Sequence, residues 1–185
     1  MGEQHKKHNR REHLNDFHLN VAGEYVYDGA LYACQSDDAK QHRIKRAVLG
    51  MAAILIVAVI AGGCIPAPGM QNCFYVLLPY LGEFLGAGSV IWALAKLGMD
   101  WGTVREYNYK KSVAVLPVRT AVTAVFSLLG IVCELIFFFV NDHAGQTFFA
   151  LLYVLLKLTA LLSALVLRAE IMQAEWDKLP KKDNS

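Results

Sequence analysis

Four apolar stretches of about bilayer length dominate this chain and leave few folds open to it. A helix needs about 20 mostly apolar residues to cross the hydrocarbon core of a membrane, at a rise of about 1.5 Å per residue. The stretches cover residues 47–65, 72–95, 118–140 and 146–167. Backbone N–H and C=O groups in lipid must be satisfied within the segment, so each stretch predicts a transmembrane α-helix.

The predicted fold class is therefore an all-α membrane protein, a four-helix transmembrane bundle over residues 47–167. Its neighbouring helices should be antiparallel because the loops that join them are short. A very apolar soluble bundle is the alternative. It is disfavoured because the remaining residues are too few to give it a polar surface. Flanking regions at 1–46 and 168–185 are expected to lie outside the membrane.

Lysine and arginine gather on one side of the predicted membrane. Eight of the 18 precede the first span, five lie between Lys96 and Arg119, and four follow the fourth span, whereas the two other loops contain none. Positive charge marks the cytoplasmic side. The sequence therefore predicts cytoplasmic termini and a cytoplasmic middle loop. Short outer loops, and no cleavable leader before Ala47, favour the cell membrane of a bacterium.

The N-terminal region carries a turn signal and a helix signal. Asp28-Gly29 lies between two runs of β-prone residues, and this dipeptide favours a type I′ turn. We therefore expect a short cytoplasmic β-hairpin over residues 24–33. A serine and two aspartates at 36–38 indicate the start of a pre-membrane helix that continues into the first span.

The region after the fourth span, residues 168–185, is expected to form a cytoplasmic helix followed by a tail. Pro180 cannot continue a helix, so the helix should end beside it.

Three ionisable residues lie inside predicted spans, namely Glu83, Glu134 and Lys157. Insertion of a charge into the hydrocarbon core costs about 2.5–3.5 kcal/mol, so these side chains should face inward and meet one another. Glu83 and Lys157 are each about eleven residues from the outer ends of their spans, near the midplane. Glu134 lies roughly 8 Å closer to the outside. Two interpretations stay open: a site for a cation, proton or polar substrate, or a structural ion pair that fixes helix register.

Small residues predict where the helices approach closely. Gly82 and Gly86 form a small-xxx-small pair on the second span. Ala160 and Ala164 share a face of the fourth span with Lys157. We expect all four residues to serve helix packing.

Two cysteines, Cys64 and Cys73, flank the first outer loop. The outer side is oxidising, so a disulfide between them is one interpretation. The alternative is a small helix-packing residue at Cys64 and a free thiol at Cys73.

Composition and motifs exclude several functions. A net charge of +2, with basic residues divided among loops, gives no stripe for a nucleic acid. The sequence predicts no cofactor, no metal site and no enzymatic activity, since only Asp142-His143 faintly fits a catalytic pair. The whole-chain pattern resembles small four-span membrane proteins that are common in bacteria, although no motif implies an activity.

Two functional hypotheses remain. The leading hypothesis is a non-enzymatic accessory protein in the lipid bilayer, which forms a homo-oligomer or joins other membrane subunits. The alternative is a small oligomeric transporter or channel that uses Glu83, Glu134 and Lys157.

Overall fold

The computed structural model describes residues 17–19, 25–27, 29–98, 101–141 and 146–179, and it is mostly helical. A 3-10 turn at Val113–Val115 precedes the third long helix. The elements in chain order are β1 Phe17–Leu19, β2 Tyr25–Tyr27, β3 Leu31–Cys34, α1 Asp38–Cys64, α2 Pro68–Asn72, α3 Phe74–Leu97, β4 Thr103–Arg105, α4 Glu106–Lys111, α5 Leu116–Val140, α6 Thr147–Met172 and β5 Trp176–Lys178.

The helices α1, α3, α5 and α6 are long and apolar enough to cross a membrane, which confirms the four predicted apolar helices. The pre-membrane helix and the first predicted span form one continuous helix, α1. Between α1 and α3, in the first outer loop, the chain forms the short helix α2.

The four long helices form a closed ring in the order α1, α3, α5, α6. Helix α6 packs against α1 and α5, and α3 packs against α5 and, less extensively, α1. Helices α3 and α6 therefore lie diagonally across the bundle. The chain runs up and down, so the start of α1, the loop between α3 and α5, and the end of α6 share one end of the bundle. We call it the basic end, because 11 of the 12 lysines and arginines among the described residues lie there. We call the other end the short-loop end.

Polarity across the bundle is the reverse of that in a soluble protein. Large apolar side chains point outward along all four helices, among them Val57 on α1, Leu85 on α3, Val118 on α5 and Leu155 on α6. The fully buried residues include two carboxyl groups, an ammonium and several hydroxyls. Water would leave this outer apolar surface without favourable contacts, whereas lipid would match it.

A small antiparallel sheet closes the basic end. The hairpin predicted over residues 24–33 is wrong, because its two halves pair with other strands. Strand β3 is the central strand and pairs with β4 and β5, while β2 pairs with β1. The residues on either side of Asp28-Gly29 therefore do not pair with each other. An isolated hairpin is marginally stable, and β3 instead gains two partner strands from the middle loop and the C-terminal region.

Aromatic rings pack beside this sheet. The Tyr32 ring stacks on that of Tyr109, with centroids 4.1 Å apart, and Trp176 lies 6.0 Å from Tyr109 and 6.4 Å from Trp101. These contacts explain why the predicted cytoplasmic helix after the fourth span is shorter than expected. The helix expected to approach Pro180 ends at Met172, because the next residues form β5 and bring Trp176 against the other rings.

Candidate functional site: a buried ion pair

The centre of the bundle holds an ion pair between Glu83 of α3 and Lys157 of α6. The Lys157 ammonium donates a hydrogen bond to Glu83 Oε2. The two side chains are 0% and 1% exposed, so the pair has no contact with solvent. Because α3 and α6 are diagonal neighbours, these two long side chains span the interior where the backbones do not meet.

The surroundings of the pair supply its remaining partners. Ser127 of α5 donates a hydrogen bond to Glu83 Oε1 at 2.6 Å. Lys157 Nζ lies 4.6 Å from the ring centroid of Tyr80 and 5.1 Å from that of Tyr153, where the ring faces attract a cation. Each carboxylate oxygen of Glu83 thus has a donor, and the ammonium has an anion and two rings.

Small residues on the neighbouring helices make room for the pair. A Cβ atom at Gly130 of α5 would lie 3.6 Å from Lys157 Cε, so the lysine stem packs directly on the α5 backbone there. The predicted packing residues Ala160 and Ala164 are fully buried on the same face of α6 as Lys157. This arrangement lets a long polar side chain enter an otherwise tightly packed interior.

The other two predicted packing residues bring α3 close to α5. A Cβ atom at Gly82 would lie 2.5 Å from the Phe126 ring, and one at Gly86 would lie 2.6 Å from Thr123 Oγ1. Both glycines therefore serve contacts within one chain.

Glu134 is fully buried but lies apart from the ion pair. Its Oε1 accepts a long hydrogen bond of 3.4 Å from the backbone N–H of Gly69 in α2. Its Oε2 has no hydrogen-bond partner among the described residues, and neither has the buried hydroxyl of Tyr153. A small cavity of about 30 Å³ lies beside Glu134, between α5 and α6.

Helix α2 is held closely against Glu134. A Cβ atom at Gly69 would overlap Glu134 Oε2 and would lie 3.1 Å from the Phe137 ring, so only glycine fits there without a shift. The predicted cluster therefore separates into two sites: the pair Glu83–Lys157, and Glu134 with α2.

Sequence reasoning missed several partners in these two sites. Ser127 precedes Glu134 by seven residues and Tyr153 precedes Lys157 by four, so helical spacing could have indicated both as partners. Tyr80 precedes Glu83 by three residues, so helical spacing could have indicated this residue as well. No local signal marked Gly69, since its role depends on how the loop folds back onto α5.

All four cysteines, including Cys64 and Cys73, are free thiols in the structure. The disulfide stays a prediction. Within residues 29–98, 101–141 and 146–179, no three His, Cys, Asp or Glu side chains are grouped so that they could hold a metal ion.

No protein-family model, no curated protein and no solved structure matches this chain.

Proposed function

We propose that this chain is a non-enzymatic, four-span membrane protein that acts as a subunit of a membrane assembly, and that its buried ion pair fixes the register of its helices. Its place is the cell membrane, with the basic end in the cytoplasm. The charge distribution supports this orientation, because lysine and arginine favour the cytoplasmic side.

One observation carries the structural role: the charges of Glu83 and Lys157 are satisfied by each other and by their neighbours. Oε2 has the ammonium and Oε1 has Ser127, at 2.6 Å. A permeating cation would need at least one free carboxylate oxygen in the pair. A buried pair in which both carboxylate oxygens have donors instead fixes which faces of α3 and α6 meet.

The exposure of α3 supports the role as a subunit. In its most apolar window only 22% is buried inside the chain, against 33–39% for the three other helices. Leu85 and Trp92 are 71% and 62% exposed, and no atom lies within 4 Å of where a Cβ would stand at Gly88. A second copy of the chain could therefore pack closely on this face of α3.

Cross-linking in native membranes tests this proposal. In a variant without the native cysteines, Leu85→Cys should form a disulfide-linked dimer on mild oxidation. The matched control is Leu151→Cys, at 59% exposure on α6. It should stay monomeric. A monomer in both variants, together with a monomeric purified chain that has no associated subunit, would exclude the role as a subunit.

A second candidate, a small oligomeric transporter or channel, is favoured by Glu134. Its Oε2 is buried and has no partner within the described part of the chain, and such a group inside a membrane protein is costly unless function retains it. Flux into proteoliposomes separates the two candidates. A transporter loses cation or proton flux in Glu134→Gln or Glu83→Gln, whereas a structural protein has no flux to lose.

A further inference from the structure

We propose that a groove on α5 at the basic end binds one anionic phospholipid, with the phosphate on Arg168 and an acyl chain along α5. This inference rests on the proposed insertion into a membrane, and it adds a ligand that the subunit role does not require.

The groove has the shape and lining of an acyl-chain site. It has a volume of about 450 Å³, in the range of small-molecule sites. Its walls are six α5 residues between Pro117 and Phe126, all apolar, together with Arg168 of α6. Val118 and Val125 in this wall are 65% and 56% exposed, so the groove is open on the outer side of the bundle.

The length of the groove matches one leaflet. Pro117 is near the first turn of α5, and Phe126 is nine residues further along the helix. At about 1.5 Å per residue the groove extends about 13 Å from the basic end. Half of a hydrocarbon core about 30 Å thick is about 15 Å, so a lipid of the same leaflet would place its chain along the whole groove.

The single charge in the groove lies where a headgroup phosphate would be. Arg168 belongs to the last turns of α6, level with the start of α5. It has no ion-pair or hydrogen-bond partner among the described residues. Glu170, two residues further on, faces Arg43 at 3.9 Å instead. A guanidinium group binds phosphate oxygens through two parallel N–H donors, and it favours an anionic headgroup over a zwitterionic one, whose cationic amine would repel it.

Lipid binding by the purified chain, measured by native mass spectrometry, tests the site. Phosphatidylglycerol and phosphatidylcholine with identical acyl chains are titrated separately. We expect phosphatidylglycerol to bind about tenfold more tightly, and Arg168→Gln to abolish that difference. Ala121→Phe fills the groove and should lower the affinity for both lipids about tenfold. Inorganic phosphate should not compete, because it makes no contact with the apolar wall.

Matched variants control for charge and for bulk. Arg46→Gln removes a charge from α1 at the same end, and Val132→Phe adds a ring to an exposed position of α5 outside the groove; neither should change binding. Equal binding of the two lipids, equal losses in Arg46→Gln and Arg168→Gln, or competition by phosphate would overturn the site. Carbonate extraction of membranes tests insertion separately, so either claim can fail alone.

Discussion

Replacing Lys157 by methionine isolates the energy of the buried ion pair. The substitution keeps the length and most of the packing of the side chain but leaves the Glu83 carboxyl with Ser127 alone, at 2.6 Å. Removal of one partner from a buried pair costs about 3–5 kcal/mol, because the other group stays desolvated. One of the two donors to Glu83 survives, so we expect a loss of about 3 kcal/mol in the free energy of unfolding.

The double variant, Glu83→Met with Lys157→Met, turns this expectation into a test of the mechanism. It removes both charged groups, and Ser127 can turn to the Thr123 carbonyl, which already lies 3.1 Å away. Apolar replacement of a whole buried pair is often neutral or stabilising. The double variant should therefore be more stable than Lys157→Met by at least about 2 kcal/mol.

Unfolding in mixed micelles by titration with sodium dodecyl sulfate, followed by circular dichroism, measures these free energies. Ser163→Ala is the control on the same helix, because this buried hydroxyl donates a hydrogen bond to the Thr159 carbonyl of its own helix, at 2.7 Å. It should cost less than about 1 kcal/mol. Additive losses in the double variant, or a loss in Lys157→Met no larger than in Ser163→Ala, would refute the register role of the pair.

Three further changes test other contacts. Gly86→Ala should lower the free energy of unfolding by about 1–3 kcal/mol, because the new Cβ would stand 2.6 Å from Thr123 Oγ1. Gly88→Ala is its control, since no atom lies within 4 Å of the new Cβ. In the same titration it should leave the free energy of unfolding unchanged or raise it by up to about 1 kcal/mol. Gly69→Ala should displace α2 and speed amide exchange of residues 69–72, since its Cβ would overlap the Glu134 carboxyl; unchanged exchange would contradict that contact. Trp176→Ala removes two ring contacts, worth about 0.5–1.5 kcal/mol each. It should speed amide exchange in the paired strands β3 and β5 about tenfold. Equal exchange in the variant and the unaltered protein would show that the rings do not stabilise the sheet.

The long helices were predictable because their signal is local. Bilayer thickness sets the length of an apolar helix, and the sequence between residues 47 and 167 satisfies that length four times. The contact between Glu83 and Lys157 also follows from general reasoning, since few charges lie within the spans and each is costly alone.

The remaining features depend on contacts that are distant in sequence. Strand β3 pairs Tyr32 with Val104 and with Lys178, positions that no local turn signal connects. The local Asp28-Gly29 signal therefore gave the wrong partner. Glu134 faces α2 instead of Lys157 because the short helix folds back against α5, and a Pro-Gly sequence alone indicates a turn without its direction.

Accessibility of engineered cysteines in intact cells tests the central claim, a four-span bundle with its basic end in the cytoplasm. In a chain without native cysteines, Gln71→Cys probes α2 at the short-loop end and Asp177→Cys probes β5 at the basic end; both positions are exposed. A membrane-impermeant maleimide should label Gln71→Cys in intact cells and Asp177→Cys only after permeabilisation. Labelling of Asp177→Cys in intact cells, or protection of Gln71→Cys until lysis, would contradict the proposed topology.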